Sequence, residues 1–177
     1  MVLRRYQKKS FIIGISGPSS SGKTTIAKKL TKTLKAKLIH SDDYWKYHNT
    51  EIPSRKDWKK WEHPSSINFE KLHKDILKVK NAKFIIVEGF HMFHNKKIRD
   101  LFDLKIYAIL PNSLIVKRRL DRFGSEDNQE WYSKNIVVNS YKKYGEPTKK
   151  YADLVLKGND DINKNLKKIL SYIKKLK

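Results

Sequence analysis

The sequence predicts an α/β domain built on a parallel, doubly wound sheet. Two observations carry this prediction: five short apolar runs are bounded by turn or polar residues, and amphipathic helical patterns lie between those runs. Strands that alternate with helices are typical of parallel sheets covered by helices on both faces. The length of 177 residues suits one domain, which we expect to span residues 1–177.

Each element follows from the spacing of apolar residues. The predicted strands are Phe11–Ser16, Lys37–His40, Phe84–Glu88, Lys105–Leu110 and Ala152–Leu156. Helices are predicted around Ile26, Leu30 and Leu34, then Phe69, Leu72, Ile76 and Leu77, then Leu114, Ile115 and Leu120, and finally Ile162, Leu166, Ile169 and Ile173. Asp160 or Asp161 can cap the last helix. The stretches Tyr47–Ser66 and Phe123–Gln129 have no regular pattern, and we expect substrate loops and a lid there.

The charge balance raises two classes of function. The chain has 40 Lys and Arg against 18 Asp and Glu, a net charge of +22, and such a surface attracts polyanions. Because lysine supplies 33 of the 40 cations and is spread along the chain, we expect a solvated basic surface that attracts anionic small substrates. Specific nucleic-acid binding is not expected, but a nucleotide-regulated nucleic-acid-binding protein stays open as an alternative.

Cysteine content and apolar run lengths limit the compartment. The chain has no cysteine, which excludes disulfides, a thiolate metal site and a cysteine nucleophile, and fits a reducing compartment. Its longest apolar runs are far shorter than the ~20 residues that span a bilayer. We therefore expect a cytoplasmic protein without membrane association, and make no prediction of its oligomeric state.

A glycine-rich loop follows the first predicted strand. Residues Gly17 to Thr24 match G-x-x-x-x-G-K-[ST], a pattern whose backbone N–H groups point at phosphate oxygens beside a helix N-terminus. Lys23 would reach the β- and γ-phosphates, and the Thr24 hydroxyl would ligate Mg²⁺. A chance glycine-serine turn is the alternative, against which the flanking strand and helix argue. We expect ATP and Mg²⁺ here, with ATP bound by Gly17, Ser19, Ser20, Ser21, Gly22, Lys23, Thr24 and Thr25.

Acidic residues follow two of the predicted strands. Glu88 ends one strand and Asp42 comes just after another, at the carboxyl ends where ligands bind in open α/β sheets. A carboxylate there can position Mg²⁺ or accept the proton of a substrate hydroxyl, which is the role expected of Asp42. The alternatives are a water-facing acid for Glu88 and a helix cap for Asp43. The predicted metal ligands are Thr24, Asp42 and Glu88.

Arginines and aromatic residues form two further clusters. Arg118, Arg119 and Arg122 fall within five residues of a lysine-rich chain, which favours a place where a planar fork binds phosphate. The aromatic cluster contains Tyr44, Trp45, Tyr47, Trp58 and Trp61. It is either a stacking wall for a flat ring or packing beneath a long loop. His91 and His94 lack a third ligand at a recognisable spacing, so we expect a loop pair rather than a metal site.

Together these residues resemble the uridine kinase and nicotinamide riboside kinase group of small P-loop nucleoside kinases. The resemblance extends over almost the whole chain, through Phe11–Thr25, Ser41–Lys46, Trp61–Pro64, Ile85–Phe90, the arginine cluster and Glu146–Asp153. It implies the P-loop kinase fold, with a five-stranded parallel sheet flanked by helices on both faces. It also implies a short arginine-bearing lid at about residues 118–130.

The resemblance assigns an expected role to each matching residue. Asp42 would bind and deprotonate the ribose 5′-hydroxyl, Glu88 would lie near Mg²⁺ and the ribose, and Trp61 and Glu62 would hold the nucleoside. The expected substrate-binding set is Asp42, Tyr44, Trp45, Trp61, Glu62, Glu88 and Arg119. The turn at Gly158–Asn159 is the place implied for adenine.

The arginines would act on the phosphates. In the resemblance Arg119 contacts the substrate, while Arg118 and Arg122 belong to the lid that closes over ATP and bind it. Such a lid adds positive charge around the transferred phosphoryl group and excludes water. The expected catalytic residues are therefore Lys23, Asp42, Arg119 and Arg122.

Features that separate the two kinase types point in opposite directions. Uridine kinases carry a β-hairpin where this chain has only residues 81–83, and its absence favours the nicotinamide riboside type. His63–Pro64 and Pro147–Asp153 look more like the uridine kinases, and Trp61 and Glu62 replace the Tyr and Asp common in the nicotinamide riboside group. The sequence prediction is conversion of nicotinamide riboside to nicotinamide mononucleotide, in NAD biosynthesis, with a uridine or cytidine kinase as the alternative and another hydroxylated metabolite as a third substrate class.

Overall fold

The computed structural model describes residues 10–47, 58–79, 81–125 and 128–176, and its centre is one sheet. The strands are β1 (Phe11–Ser16), β2 (Lys37–His40), β3 (Phe84–Glu88), β4 (Leu104–Ile109) and β5 (Leu154–Lys157). All neighbouring strands pair in parallel, in the order β2-β3-β1-β4-β5. The predicted fold class, an α/β fold with a five-stranded parallel sheet, is confirmed.

Helices connect the strands. They are α1 (Lys23–Leu34), α2 (Trp58–Trp61), α3 (Phe69–Lys78), α4 (Lys96–Arg99), α5 (Asn112–Phe123), α6 (Gln129–Tyr132), α7 (Val138–Ser140) and α8 (Ile162–Lys175). Two π-helical stretches, Ser133–Val137 and Tyr141–Gly145, flank α7, and 3₁₀ turns occupy Ser41–Tyr44, Pro64–Ser66 and Glu146–Tyr151. No helix in the described ranges is long and apolar enough to cross a bilayer.

The core has two parts because successive strand residues point to opposite faces of the sheet. On one face, Ile13 and Ile15 of β1 pack with the apolar sides of α1 and α8. On the other, Ile12 of β1 packs with the apolar sides of α3 and α5. Asp161 caps α8, since its carboxylate accepts hydrogen bonds from two backbone N–H groups of the first turn.

Strand boundaries agree closely with the sequence prediction. The bounds of β1, β2 and β3 are those predicted, and β4 begins and ends one residue earlier. The first predicted residues of β5 are not in the strand. Ala152 N donates to Lys149 O and closes the preceding turn, and the Asp153 carboxylate accepts from Lys105 N at 2.7 Å.

The prediction of irregular structure over Tyr47–Ser66 is wrong in part. Trp58–Trp61 is helical and Pro64–Ser66 is a 3₁₀ turn, while residues 48–57 lie outside the described residues. The helical segment between residues 129 and 151 was not predicted, because π turns break the 3.6-residue period that the sequence pattern relies on. Of the predicted lid, Phe123 ends α5, Gln129 begins α6, and residues 126–127 lie outside the described residues.

Candidate active site

Strand order brings three segments of the candidate site to one edge of the sheet. β3 lies between β2 and β1, and in this register Glu88 pairs with His40 on one side and with Ile15 on the other. Ser41 and Asp42 follow β2, and the glycine-rich loop follows β1. The carboxyl ends of these three neighbouring strands therefore meet, as the sequence predicts.

The glycine-rich loop has the backbone that phosphate binding needs. Gly22 has a φ of 84°, just before α1 begins at Lys23, and Gly17 has a φ of 145° with so little room that a Cβ would lie 2.2 Å from Ala108 O. The hydroxyls of Ser20 and Ser21 are buried without a hydrogen-bond partner among the described residues. Such groups fit a ligand rich in oxygen acceptors.

Glu88 is buried, so the alternative of a water-facing acid is wrong. Only 3% of its surface is exposed. The Thr24 hydroxyl donates to Glu88 Oε1 at 3.0 Å, and His40 Nδ1 lies 2.7 Å from the same oxygen. A carboxylate beside a hydroxyl supplies the hard oxygen ligands that Mg²⁺ binds, with phosphates completing its coordination. The residues therefore fit the expected metal ion.

Asp42 reaches the same edge through a close contact between two strand ends. It lies in the 3₁₀ turn after β2, where it is exposed. The preceding residue, Ser41, packs on Gly89 so closely that a Cβ at Gly89 would lie 1.7 Å from Ser41 Oγ. Because Gly89 follows Glu88 directly, this contact holds Asp42 and Glu88 on adjoining strand ends.

The pKa of Lys23 depends on charges from several of these segments. Its ammonium is buried and donates to Pro18 O at 2.6 Å. Burial lowers the pKa of Lys23, the negative charges of Glu88, Asp42 and Glu62 oppose that change, and the charge of Arg122 adds to it. One ammonium group thus lies within the electrostatic reach of three carboxylates and an arginine.

The arginine cluster lies in the second half of α5 and contacts the phosphate loop. Arg118 donates to Ser20 O at 3.1 Å and to Gly158 O at 3.0 Å, so it joins the loop to the turn expected to bind adenine. Arg119 donates to the Ser19 hydroxyl at 2.9 Å. Gly158 itself leaves no space, because a Cβ there would lie 2.5 Å from Ser21 O.

Glu62 follows α2 and is held from several sides. Its Oε1 accepts a hydrogen bond from the Tyr132 hydroxyl at 2.7 Å, and its backbone oxygen accepts from His91 Nε2 at 3.0 Å and from the Ser140 hydroxyl. Burial raises the pKa of Glu62, while the Tyr132 hydrogen bond and the charge of Arg119 oppose the rise. Burial and the Glu62 charge raise the pKa of Tyr132, so its hydroxyl keeps its proton and donates.

Packing within the protein accounts for part of the aromatic cluster. Trp58 is buried and packs edge-on against Tyr132 with ring centroids 5.2 Å apart, which is packing. Trp45 and Trp61 are half-buried and meet edge to face at 5.2 Å beside Glu62. The Tyr44 hydroxyl donates to Asp75 on α3 at 3.2 Å, which ties it to the fold.

Sequence reasoning missed five residues that orient the candidate site. They are His40, His91, Tyr132, Ser133 and Ser140. Only His40 had a recognisable signal in the sequence, because it ends a predicted strand two residues before Asp42. The other contacts join segments that are 29 or more positions apart, except for the Ser133 contact to Arg119, which spans the predicted lid.

Comparison with known proteins assigns the family. The model of the phosphoribulokinase / uridine kinase family matches residues 12–83 and 54–163. The chain belongs to this family. The uridine kinase of Borrelia duttonii (strain Ly) is 34% identical over 196 residues, covering 93% of this chain and 95% of the relative. The uridine kinase of Lactobacillus helveticus (strain DPC 4571) is 30% identical over 186 residues, covering 84% and 87%.

This membership makes the chain an ATP-dependent nucleoside kinase, which confirms the predicted enzyme class. It favours the kinase over the nucleic-acid-binding alternative. Among solved structures, shikimate kinase from Acinetobacter baumannii in complex with shikimate superposes with a TM-score of 0.64 at 15% identity, covering 96% of both chains. A putative fructose transport system kinase from Silicibacter sp. TM1040 has the same TM-score at 18% identity, covering 87% of this chain and 93% of its own. At such identities the likeness shows the fold alone.

Proposed function

We propose that the chain transfers the γ-phosphoryl group of ATP to the 5′-hydroxyl of uridine, with cytidine as a related substrate. The support is the 34% identity to a uridine kinase over 93% of the chain. His63–Pro64 and Pro147–Asp153, which resemble uridine kinases, point the same way. Nicotinamide riboside, the first prediction from the sequence, becomes the second candidate, supported by the missing hairpin.

The proposed mechanism uses the residues gathered at the strand ends. Asp42 accepts the proton of the 5′-hydroxyl while the 5′-oxygen of the nucleoside attacks the γ-phosphorus. The new P–O bond forms as the bond between the γ-phosphorus and the β–γ bridging oxygen breaks, and that oxygen leaves with ADP. Lys23, Arg119 and Arg122 stabilise the negative charge on the phosphoryl oxygens. Mg²⁺ held by Thr24, Glu88 and Asp42 would neutralise phosphate charge.

Binding of the nucleoside falls to the other residues in this proposal. Glu62 accepts hydrogen bonds from ribose hydroxyls, and Trp45 and Trp61 flank the sugar and base. Glu62 is half-buried. A partly desolvated carboxylate that hydrogen-bonds a substrate hydroxyl discriminates against analogues that lack it, because its acceptor is then left unpaired. We therefore expect the enzyme to distinguish ribonucleosides from deoxyribonucleosides.

A substrate panel tests this proposal. The protein is incubated with ATP and Mg²⁺ and, separately, with uridine, cytidine, nicotinamide riboside and 5′-deoxyuridine, and the monophosphates are measured by mass spectrometry. We expect UMP and ADP in equal amounts and no phosphorylation of 5′-deoxyuridine. A kcat/KM for nicotinamide riboside above that for uridine would reverse the order of the two substrates. If the protein phosphorylates none of the nucleosides, the proposed mechanism is refuted.

A further inference from the structure

Two adjacent residues contact both substrate sides of the candidate site. The Tyr132 hydroxyl donates to Glu62 Oε1 at 2.7 Å, on the nucleoside side. The next residue, Ser133, accepts a hydrogen bond from Arg119 Nε at 3.1 Å through its hydroxyl, on the phosphate side. No sequence motif marks either residue.

The local backbone explains how neighbours reach two different partners. α6 ends at Tyr132, and the first π-helical stretch begins at Ser133. Successive residues of a helix point in different directions, and single π turns within helices often occur at functional sites. Ser133 is fully buried, and Trp58 packs edge-on against the Tyr132 ring. Both side chains are therefore fixed by packing.

The contacts continue to the phosphate loop. Arg119 donates from Nη1 to the Ser19 hydroxyl at 2.9 Å, while its guanidinium lies 5.5 Å from the centre of the Tyr132 ring. A series of direct contacts thus runs from Ser19 through Arg119 to Ser133 and Tyr132, and from Tyr132 to Glu62. A guanidinium held through two different nitrogens has little freedom to rotate.

We propose that Tyr132 and Ser133 are a pair of positioning residues: Tyr132 orients the Glu62 carboxylate toward the nucleoside, and Ser133 orients the Arg119 guanidinium toward the transferred phosphoryl group. This inference rests on the proposed function, since it presumes that Glu62 binds the nucleoside and Arg119 the phosphates. Neither positioning residue touches a reacting atom. Each acts through the group that it binds.

The two roles predict opposite kinetic signatures. Loss of one hydrogen bond to a charged group corresponds to about 10- to 100-fold in an equilibrium or rate. Tyr132→Phe keeps the ring and removes the bond to Glu62, so the KM for the nucleoside should rise by about 10-fold or more while kcat is retained. Ser133→Ala removes one anchor of Arg119, so kcat should fall by about 10-fold while the nucleoside KM is retained.

Matched variants separate positioning from general damage to the fold. Tyr144→Phe removes a hydroxyl from the same helical segment at a residue that packs against His63, and Ser171→Ala removes one from the exposed side of α8. Steady-state kinetics with both substrates varied, together with the melting temperature, are measured for all four variants and the wild type. Both controls should match the wild type.

The outcomes distinguish the inference from the proposed function. Failure of the wild type to phosphorylate any nucleoside would refute the proposed function, and the pair would lose its role with it. An active wild type whose Tyr132→Phe variant keeps its nucleoside KM, or whose Ser133→Ala variant keeps its kcat, would overturn the inference alone. Equal changes in both parameters accompanied by a lower melting temperature would also overturn it, since that is the result of a merely structural role.

Discussion

The phosphate-loop side and the nucleoside side of the candidate site are built in different ways. The phosphate side is one continuous run, Gly17 to Thr24, a pattern that predicts phosphate binding largely through backbone N–H groups. The nucleoside side takes Asp42, Glu62 and Glu88 from three separate segments, and Tyr132 from a fourth holds one of them. A local motif can be recognised in the sequence, whereas a set of side chains brought together by tertiary contacts cannot.

Arginine substitutions at the junction of the two sides should have the largest effect. Arg119→Ala and Arg122→Ala each remove a cation from the phosphates, and we expect kcat to fall by about 10³-fold or more with the fold retained. Lys117→Ala, an exposed neighbour on α5, is the control and should retain its kcat. The measurement is steady-state kinetics. Near-normal turnover in both arginine variants would show that the arginines of α5 take no part in the mechanism and do not link the phosphate side to the nucleoside side.

Removal of the proposed base should come next. Asp42→Asn keeps the size of the side chain but cannot accept the 5′-hydroxyl proton, so kcat should fall by about 10²- to 10⁴-fold. Asp43→Asn changes the adjacent, equally exposed acid and should leave kcat close to that of the wild type. If the two variants lose activity equally, Asp42 has no special role and the nucleoside side must use another base.

Two glycine substitutions compare the rigidity of the two sides. A Cβ at Gly158 would lie 2.5 Å from Ser21 O and 3.1 Å from Ile109 O, both backbone atoms, whereas at Gly89 it would meet the Ser41 side chain. Each alanine substitution should lower the free energy of unfolding by about 1 to 3 kcal/mol, measured by denaturant unfolding. Ser41→Gly should restore stability to Gly89→Ala, because it removes the atoms in conflict, and it should not restore Gly158→Ala.

The last comparison concerns pH and the nucleoside side alone, with an effect of about 1.4 kcal/mol for each pH unit. Burial lowers the pKa of His91 from 6.5 to about 3. As the pH falls below 6.5 the unfolded chain binds this proton first, so the free energy of unfolding should decrease by about 1.4 kcal/mol per pH unit toward pH 3. In His91→Gln this contribution is absent, and the slope of stability against pH should be shallower by that amount.

The measurement compares the slope of stability against pH for the wild type with that for His91→Gln. Both slopes come from urea unfolding at a series of pH values. If the slope is unchanged in His91→Gln, His91 accepts a proton in the folded protein as readily as in the unfolded chain. Its burial beside the Glu62 backbone would then not lower its pKa.

The sequence determined the elements that depend on neighbours along the chain. Strand bounds for β1, β2 and β3 and the phosphate loop follow from apolar runs and glycine placement, because these are local requirements of the backbone. The position of Glu88 at a strand end was also predicted. Its burial was not, because the contacts from Thr24 and His40 join residues 64 and 48 positions away.

Tertiary structure alone decided how the nucleoside side is held. The π turn that begins at Ser133, directly after Tyr132, leaves no periodic signal. Only the tertiary structure shows that Trp58 is buried against Tyr132 while Trp61 is half-buried. The physical reason is the distance along the chain between partners. Hydrogen bonds between neighbouring residues follow from short sequence patterns, whereas Glu62, whose carboxylate and backbone oxygen are bound by residues far along the chain, depends on how the sheet and its helices pack. The sequence thus determined that this protein binds a nucleotide, and the tertiary structure determined which side chains gather beside the glycine-rich loop.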